Sequence, residues 1–281
     1  MRKIVIPTDF SKNAFNALYF AASLFKYTRC EFYILHAYAE RVYQADELDN
    51  RELLDKRKLA VYKEVDEELF HLKEKITECL PNPKHEFKML SAFGVLSDEV
   101  NDLVNSEDVD IVVMGTRGKT NDRKITFGTN TVQVMKYVQC PVLAVPEDYE
   151  YHEPREVLFP SDYMVPYKRR ELKLLCEIAG SFRSNIHMLY INPIKKLSIR
   201  QEDHMNFLKE CLFKAQLSYE TTEEEDKTMA ITKYILHNKI DMLVMVNSRH
   251  SHLEELLYQS TLEKIGLHIK IPFLVFQNLS R

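Results

Sequence analysis

The sequence predicts an α/β protein built from two tandem doubly wound domains, and two observations lead to this prediction. Short apolar runs alternate with helix-forming segments along the 281 residues, and the order of these runs occurs twice. Strand–helix alternation implies right-handed crossovers and a parallel sheet flanked by helices. A chain of this length can form two domains that each bury a core of ordinary size.

Four segments of the first half are similar in sequence to four segments of the second half, and they occur in the same order. The pairs are Arg2–Phe10 with Arg155–Tyr163, Phe32–Ala37 with Ile186–Ile191, Asp110–Met114 with Asp241–Met245, and Cys140–Val145 with Ile271–Phe276. The offset shrinks along the chain, so we expect the second copy to be shorter between its second and fourth strands. A polar stretch, Glu147–Pro154, separates the copies. We therefore predict domains at 1–148 and 154–281.

Each copy has five predicted strands, which are short and mostly rich in Val and Ile, as suits a buried parallel sheet. In the first copy they are Lys3–Ile6, Glu31–Ala37, His85–Leu90, Ile111–Met114 and Val142–Val145. In the second copy they are Val157–Phe159, Asn185–Ile191, Leu217–Thr221, Met242–Val246 and Phe273–Phe276.

Helical spacing fills the gaps between the strands of the first copy. The predicted helices are Asn13–Phe25, Asp46–Leu80, Ser97–Asn105 and Thr129–Tyr137. Ser11 is placed to cap the first of them. The second is long and charged, and we interpret it as a solvated amphipathic helix, with a partner surface as the alternative. Its apolar face is expected at Leu53, Val61, Val65, Leu69 and Leu72.

Composition excludes several classes of protein. A net charge of -4 gives no general attraction to nucleic acid or to a membrane surface. No apolar run approaches the roughly 20 residues that span a bilayer, and Met1 leads directly into a strand, which predicts no signal peptide. The five cysteines are scattered without a C-x-x-C pair, which predicts reduced thiols in the cytoplasm and argues against a zinc site.

Three of the six glycines lie in one segment, Gly115-Thr-Arg-Gly118, nine residues, then Gly128. A strand end, a glycine loop and a helix start together favour an anion site. The spacing matches neither G-x-G-x-x-G nor a Walker A loop. Thr129 and Thr131 either donate hydroxyls to a phosphate or cap the helix. Four cations in the loop either meet phosphates or form a solvated surface: Arg117, Lys119, Arg123 and Lys124.

The residues at the end of the first strand are expected to form the other side of this site. Ligands of open α/β sheets bind at the carboxyl ends of strands where the strand order reverses. If strands one and four are neighbours, Pro7, Thr8 and Asp9 face the glycine loop. Asp9 then either accepts hydrogen bonds from a ribose or base, or holds a metal through water. The alternative is a local role as an N-terminal cap or Asx turn near the first helix. His36, Met114 and Met135 are interpreted as strand or core residues.

These motifs resemble the universal stress protein family and its ATP-binding branch. The resemblance rests on Pro7-Thr8-Asp9-Phe10-Ser11, Leu35-His36-Ala37 and Gly115-x-x-Gly118-x9-Gly128-Thr129 before Cys140-Pro141-Val142. It implies strand order 3-2-1-4-5 in each domain and ATP lying across the crevice, with Mg²⁺ as a candidate counter-ion and no metal ligand assigned. By position, the adenine and ribose would meet Pro7, Thr8, Asp9 and Ala37. The ribose and phosphates would meet Met114, Gly115, Gly118, Gly128, Thr129, Asn130 and Thr131, with the role of Arg117 open.

The second copy departs from this pattern. Its aligned stretch is Asn247-Ser-Arg-His250, nine residues, then Ser260-Thr261, so all three glycines are gone. Side chains at these positions should block the approach of a phosphate to the backbone, and we predict that ATP binding is lost although Asp162 remains. His250 and His252 are alternative metal ligands, but no carboxylate cluster accompanies them, which argues against a metal site.

The expected function is that of a cytoplasmic, regulatory stress protein that binds ATP in its N-terminal domain. Catalysis is expected to be slow hydrolysis at most, since no nucleophile–base pair is visible. An adenylating enzyme would need a Ser-Gly-Gly loop after strand one, where Pro7–Ser11 stands. A nucleotide-independent interaction module is the other alternative, disfavoured because only one copy keeps its glycines. The edge strands Pro141–Val145 and Pro272–Phe276 are expected to pair, either within the chain or across a homodimer.

Overall fold

Strands and helices alternate along the part of the chain that this computed structural model describes, namely residues 1–44, 50–117, 127–165, 167–191, 196–224, 226–247 and 270–278. The first half contains β1 (Arg2–Pro7), α1 (Lys12–Leu24), β2 (Cys30–Ala37), α2 (Ala39–Tyr43), α3 (Arg51–Cys79), β3 (His85–Ala92), α4 (Leu96–Glu107), β4 (Ile111–Gly115), α5 (Thr129–Tyr137) and β5 (Val142–Val145). The second half contains β6 (Glu156–Pro160), α6 (Arg169–Phe182), β7 (Asn185–Ile191), α7 (Ile199–Cys211), β8 (Gln216–Thr222), α8 (Lys227–Asn238), β9 (Met242–Asn247) and β10 (Phe273–Gln277).

These strands form one sheet in the order β3-β2-β1-β4-β5-β10-β9-β6-β7-β8. Neighbours within each half are parallel, so each half has the order 3-2-1-4-5. The predicted fold class is therefore confirmed, and every predicted strand is present with its ends shifted by at most two residues.

The two halves meet where β5 and β10 pair in antiparallel fashion. Leu143 lies opposite Leu274, with Ala144 opposite Phe273 and Val142 opposite Val275. Because the repeat relates Val142–Ala144 to Phe273–Val275, this register is symmetric about the central leucine pair. The join therefore has the geometry of a two-fold interface within one chain.

Both faces of the sheet carry an apolar core that continues across this join. On one face the core includes Phe20 and Val145 from the first half and Phe159, Leu175 and Phe276 from the second. On the other face it includes Val112 and Met135 from the first half and Leu189, Ile231 and Phe273 from the second. The halves are thus fused through packing as well as through the strand ladder.

Two details of the helices differ from the sequence prediction. Helix α3 begins at Arg51 behind the cap Asn50, whereas the predicted start at Asp46 lies outside the described residues. Leu53 is 48% exposed, and Leu54 packs against the core instead. The buried stripe runs at helical spacing through Leu54, Val61, Val65, Leu69, Leu72 and Ile76, and Leu53 lies one position, about 100°, off that stripe.

The shorter second copy is explained by the connection between its second and third strands. In the first half this connection holds α2, which the sequence did not predict, and the 29-residue α3. In the second half the described part of the connection holds α7, of 13 residues.

One repeated aspartate anchors the first strand of each half. The Asp110 Oδ2 atom accepts a hydrogen bond from the Lys3 amide at 2.9 Å. The Asp241 Oδ2 atom accepts hydrogen bonds from the Arg155 and Glu156 amides, each at 2.9 Å. Since both halves use the aspartate in this way, its place in the repeat reflects folding rather than ligand binding.

A buried polar cluster joins the second half to the end of α5. The Met135 carbonyl, in the last turn of α5, accepts hydrogen bonds from Asn247 Nδ2 at 3.2 Å and Gln277 Nε2 at 2.7 Å. Asn247 Nδ2 also donates to Gln277 Oε1 at 2.9 Å. The last carbonyls of an α-helix have no partner within the helix. Two amide side chains of the second half therefore cap a helix of the first.

Glu171 on α6 completes this junction cluster. Its Oε1 atom accepts a hydrogen bond from the Gln277 amide at 3.2 Å, and Lys168 Nζ donates to the Gln277 carbonyl at 2.9 Å. Burial raises the pKa of Glu171 to about 7, against the opposing effects of Lys168, the Gln277 amide and Arg170. Because the folded-state pKa is raised, this carboxyl favours the folded state below pH 4.5 and loses that contribution as pH rises through 7.

Replacing Glu171 by Gln should therefore change how stability depends on pH. The variant keeps the acceptor for the Gln277 amide but has no charge to bury. At pH 8 its free energy of unfolding should exceed that of the wild type by on the order of 2–3 kcal/mol, and the difference should vanish below about pH 4.5. Urea unfolding between pH 4.5 and 8.5 measures this. Glu202→Gln, at an exposed site on α7, should follow the wild type, and parallel curves for Glu171→Gln would contradict the argument.

Candidate functional site

The strand order reverses at β1, which has β2 on one side and β4 on the other. Ile4 and Val5 of β1 pair with Ile111 and Val112 of β4, so the two strands end at the same edge of the sheet. Pro7, Thr8 and Asp9 follow one strand, and Gly115 ends the other. Parallel strands with this reversal open a crevice at their carboxyl ends.

Hydrogen bonds hold the segments of this crevice together. The Thr8 amide donates to the Leu35 carbonyl at 2.9 Å, and the Gly128 amide donates to the Thr116 carbonyl at 2.7 Å. The buried Thr131 hydroxyl donates to the Gly115 carbonyl at 2.9 Å, so in this structure it fixes α5 to β4. The described site residues at this edge are Pro7, Thr8, Asp9, Ala37, Met114, Gly115, Arg117, Gly128, Thr129, Asn130 and Thr131, whereas Gly118, Lys119, Arg123 and Lys124 lie outside the described residues.

Helix α5 presents its N-terminus to the crevice. Gly128 is the N-cap, with φ -68° and ψ 160°, and no acidic residue occupies the first turn. Its φ is one that any residue adopts, so the glycine matters because it brings no side chain. Thr129 and Asn130 are exposed. The first N–H groups of a helix and its dipole favour an anion at such a place.

Gly115 is required by close packing against α1. A Cβ atom on Gly115 would lie 2.7 Å from the Cγ and Nδ2 atoms of Asn13. Asn13 is buried, and its Nδ2 atom donates to the Arg117 carbonyl at 2.6 Å. Asn13 was not among the residues predicted from the sequence to form the site. Its position two residues after the cap Ser11 was the available clue, because a polar side chain there can reach the end of β4.

The turn after β1 has the same form in both halves. The Asp9 Oδ1 atom accepts from the Ser11 amide at 3.0 Å, and the Asp162 Oδ1 atom accepts from the Met164 amide at 2.8 Å. These are Asx turns, the local alternative that the sequence had left open for Asp9. Phe10 and Tyr163 follow with φ of 63° and 57°, a conformation that is costly for aromatic residues.

His36 contacts this turn through a hydrogen bond and a ring contact. Its Nδ1 atom lies 2.6 Å from the Thr8 carbonyl, and its ring centroid lies 4.6 Å from that of Phe10. Burial lowers the pKa of His36, so the neutral ring donates from Nδ1 to the carbonyl. His36 is thus a core residue that orients the strand end, as its sequence position indicated.

The corresponding edge of the second half is arranged differently. Gly115 pairs with Val145 and Val246 pairs with Phe276, so Val246 is the structural counterpart of Gly115. The predicted alignment of Asn247 with Gly115 is therefore wrong by one residue, because β9 continues one residue farther than β4 and Asn247 lies in the junction cluster. His250, His252, Ser260 and Thr261 fall within 248–269, outside the described residues.

Aromatic side chains pack over this second edge. Tyr163 stacks on Tyr190 with ring centroids 5.7 Å apart, and the Ser161 hydroxyl bonds to that of Tyr167. Gln201 Nε2 donates to the Asp162 carbonyl at 2.7 Å. By the same strand register, Tyr163 and Tyr190 are the counterparts of Phe10 and His36, so a pair of rings packs at the turn in both halves.

The described ranges contain neither a metal-binding cluster nor a membrane-spanning helix. There, no group of three or more His, Cys, Asp or Glu residues could hold a metal ion. None of the helices in those ranges is long and apolar enough to cross a membrane.

The Gly115 contact gives a stability prediction. Gly115→Ala should lower the free energy of unfolding by about 1–3 kcal/mol, because the new methyl group overlaps the Asn13 amide. In an Asn13→Ala background, Gly115→Ala should lower the free energy of unfolding by measurably less. Urea unfolding of the wild type, the two single variants and the double variant completes this double-mutant cycle. Gly180→Ala is the matched control, since its methyl group meets the flexible Lys214 side chain at 3.0 Å or more. Equal costs in both backgrounds would contradict the contact.

Comparisons with known proteins agree with this architecture. Residues 1–146 and 186–277 match the universal stress protein family. A universal stress protein of Methanocaldococcus jannaschii is 31% identical over 157 residues, which cover 51% of this chain and 94% of the relative. One from Synechocystis is 26% identical over 191 residues, covering 66% of this chain and 63% of the relative. The crystal structure of a universal stress protein from Archaeoglobus fulgidus covers 98% of both chains with a TM-score of 0.65 at 15% identity, a likeness of fold. The chain belongs to the universal stress protein family.

Proposed function

We propose that this protein binds ATP in the crevice of its first half and serves as a nucleotide-dependent regulatory protein of the stress response. The observation that carries the proposal is the start of α5, where a glycine N-cap faces the edge at which β1 and β4 end. The ligand-binding domain is assigned to residues 1–148 and a degenerate partner domain to 154–281.

The geometry supports a specific pose for the nucleotide. The phosphates would bind the first N–H groups of α5, where the glycine cap Gly128 brings no side chain. The adenine and ribose would lie against Pro7, Thr8 and Asp9 and the end of β2 at Ala37. Mg²⁺ would be held by the phosphates and water rather than by a cluster of protein carboxylates.

The site is better suited to holding ATP than to hydrolysing it. Asp9 follows β1 at the edge of the crevice, and its Oδ1 atom accepts a hydrogen bond from the Ser11 amide. The imidazole of His36 is buried beneath Phe10 with Nδ1 directed at the Thr8 carbonyl. Neither group is placed as a general base for an attacking water, so any turnover would be slow.

Binding is proposed for the first half alone. The aligned stretch of the second copy, Asn247–Thr261, has none of the glycines that the first copy has at Gly118 and Gly128, and Val246 replaces Gly115. Side chains in place of the loop glycines would hinder the approach of a phosphate to the backbone. One nucleotide per chain is therefore the expected stoichiometry.

We also propose that pairing within the chain replaces a homodimer, because β5 and β10 each cover the edge that the other would expose. The cytoplasm is the proposed location. All five cysteines are unpaired, and burial raises the pKa of Cys30 and Cys140 to about 12, which keeps these thiols unreactive.

Thermal melts with and without Mg-ATP test the proposal directly. ATP at 100 times its Kd should stabilise the wild type by about 2.7 kcal/mol, and titration calorimetry should give one site per chain. Gly118→Val and Gly128→Val should lose the shift, while Gly180→Ala should keep it. No shift in the wild type would refute ATP binding, an equal shift in both valine variants would refute the site, and two sites per chain would refute the asymmetry.

A further inference from the structure

Arg117, two residues beyond Gly115, has polar atoms that its surroundings do not satisfy. Its side chain is 19% exposed, and its Nε and Nη1 atoms are buried with no hydrogen-bond partner in the described part of the chain. The guanidinium carries five N–H donors and stays charged at any physiological pH. Burying such a group without acceptors is unfavourable, so an anion with several oxygen atoms would be a favourable partner at this position.

The carboxylate beside Arg117 meets this need only in part. Glu147 Oε2 lies 3.8 Å from Arg117 Nη2, which is an ion pair but too long for a direct hydrogen bond. Glu147 follows β5 and keeps 37% of its side chain exposed, so solvent weakens the pair. Arg117 can therefore exchange Glu147 for a stronger acceptor at little cost.

The position of Arg117 along the crevice indicates which part of a nucleotide it would meet. The strand order is β2, β1, β4, β5, and the proposed base and ribose site lies at the ends of β2 and β1. The phosphates begin at β4 and α5. Arg117 reaches from the end of β4 toward Glu147 on the β5 side, so it lies where the tail of an extended polyphosphate would end.

The backbone of Arg117 is held firmly in this place. Asn13 Nδ2 donates to its carbonyl at 2.6 Å, and the Thr131 hydroxyl fixes the neighbouring Gly115 carbonyl to α5. Only the side chain has to turn for the guanidinium to move from Glu147 to a bound phosphate. Because the backbone is fixed and only the guanidinium turns, Arg117 can contact a phosphate only when the polyphosphate chain is long enough to reach it.

We propose that Arg117 leaves Glu147 to pair with the terminal phosphate of the bound nucleotide, and that this contact makes the crevice selective for a nucleoside triphosphate over a monophosphate. The inference rests on the proposed nucleotide site and adds the residue that determines its specificity. A guanidinium and a phosphate form two parallel charge-assisted hydrogen bonds. A monophosphate ends at α5 and gains nothing from Arg117.

Calorimetric titration with Mg-ATP, ADP and AMP tests the inference. The wild type should bind ATP at least tenfold more tightly than AMP. Arg117→Gln should weaken ATP binding at least tenfold and leave AMP affinity within twofold, so that the preference disappears. Arg117→Lys should recover only part of it, because an ammonium group cannot form the paired bonds. Lys12→Gln, which removes an exposed cation from the first turn of α1, is the control and should keep the preference.

The possible results separate this inference from the broader proposal. Unchanged ATP affinity in Arg117→Gln would overturn the assignment while leaving ATP binding intact, as would an equal loss for ATP and AMP. Absence of any nucleotide binding by the wild type would overturn both. If Arg117→Gln does not fold, Glu147→Gln decides, since loss of the competing carboxylate should tighten ATP binding severalfold without affecting AMP, and unchanged ATP affinity would again overturn the assignment.

Discussion

The antiparallel pairing of β5 with β10 is the constraint on which the rest of the structure depends. The three residue pairs centred on Leu143 and Leu274 turn two five-stranded sheets into one continuous sheet. The pairing removes two open edges, each of which would otherwise expose unpaired amides and carbonyls to other chains. It also lets both apolar cores continue from one half to the other, so neither half is expected to keep its full stability when separated. The remaining edges, β3 and β8, carry charged and polar residues that discourage further pairing.

The same pairing reverses the direction of the second half, and this explains the unusual role of Asn247. The carboxyl ends of β9 and β10 lie at the edge where α5 ends rather than where it begins. Asn247 and Gln277 therefore reach the Met135 carbonyl and cap α5, the helix whose N-terminus faces the proposed ligand. The second copy has lost the glycine at Val246 and has gained a structural contact at the next residue. The second half thus supports, through this cap, the helix at which the proposed ligand of the first half would bind.

Apolar runs and their repetition predicted the strands, whereas the strand order, and with it the two segments that meet at the crevice, was implied by the resemblance to the universal stress protein family. The features that the sequence did not predict depend on contacts between distant segments. Asn13 matters because α1 packs on the end of β4, and Leu53 is exposed because the buried stripe of α3 is set by the sheet beneath it. The alignment of Val246 with Gly115 required the pairing register with β10. The left-handed conformation of Phe10 and Tyr163 has no sequence pattern of its own, since glycine or asparagine is the usual residue there.

Comparison of the halves separates what the fold requires from what a ligand would require. The Asx turns of Asp9 and Asp162, the left-handed aromatic residue after each, and the anchoring aspartates occur in both halves. A feature common to a glycine-containing and a glycine-free copy cannot by itself account for ligand binding. Gly115, Arg117 and the glycine cap of α5 belong to the first half only, since the sequence has Val246 and Ser248 where the first copy has Gly115 and Arg117. Because both copies share one chain and one topology, this contrast supports the ligand contacts proposed for Gly128 and Arg117, whereas Gly115 is already explained by its packing against Asn13.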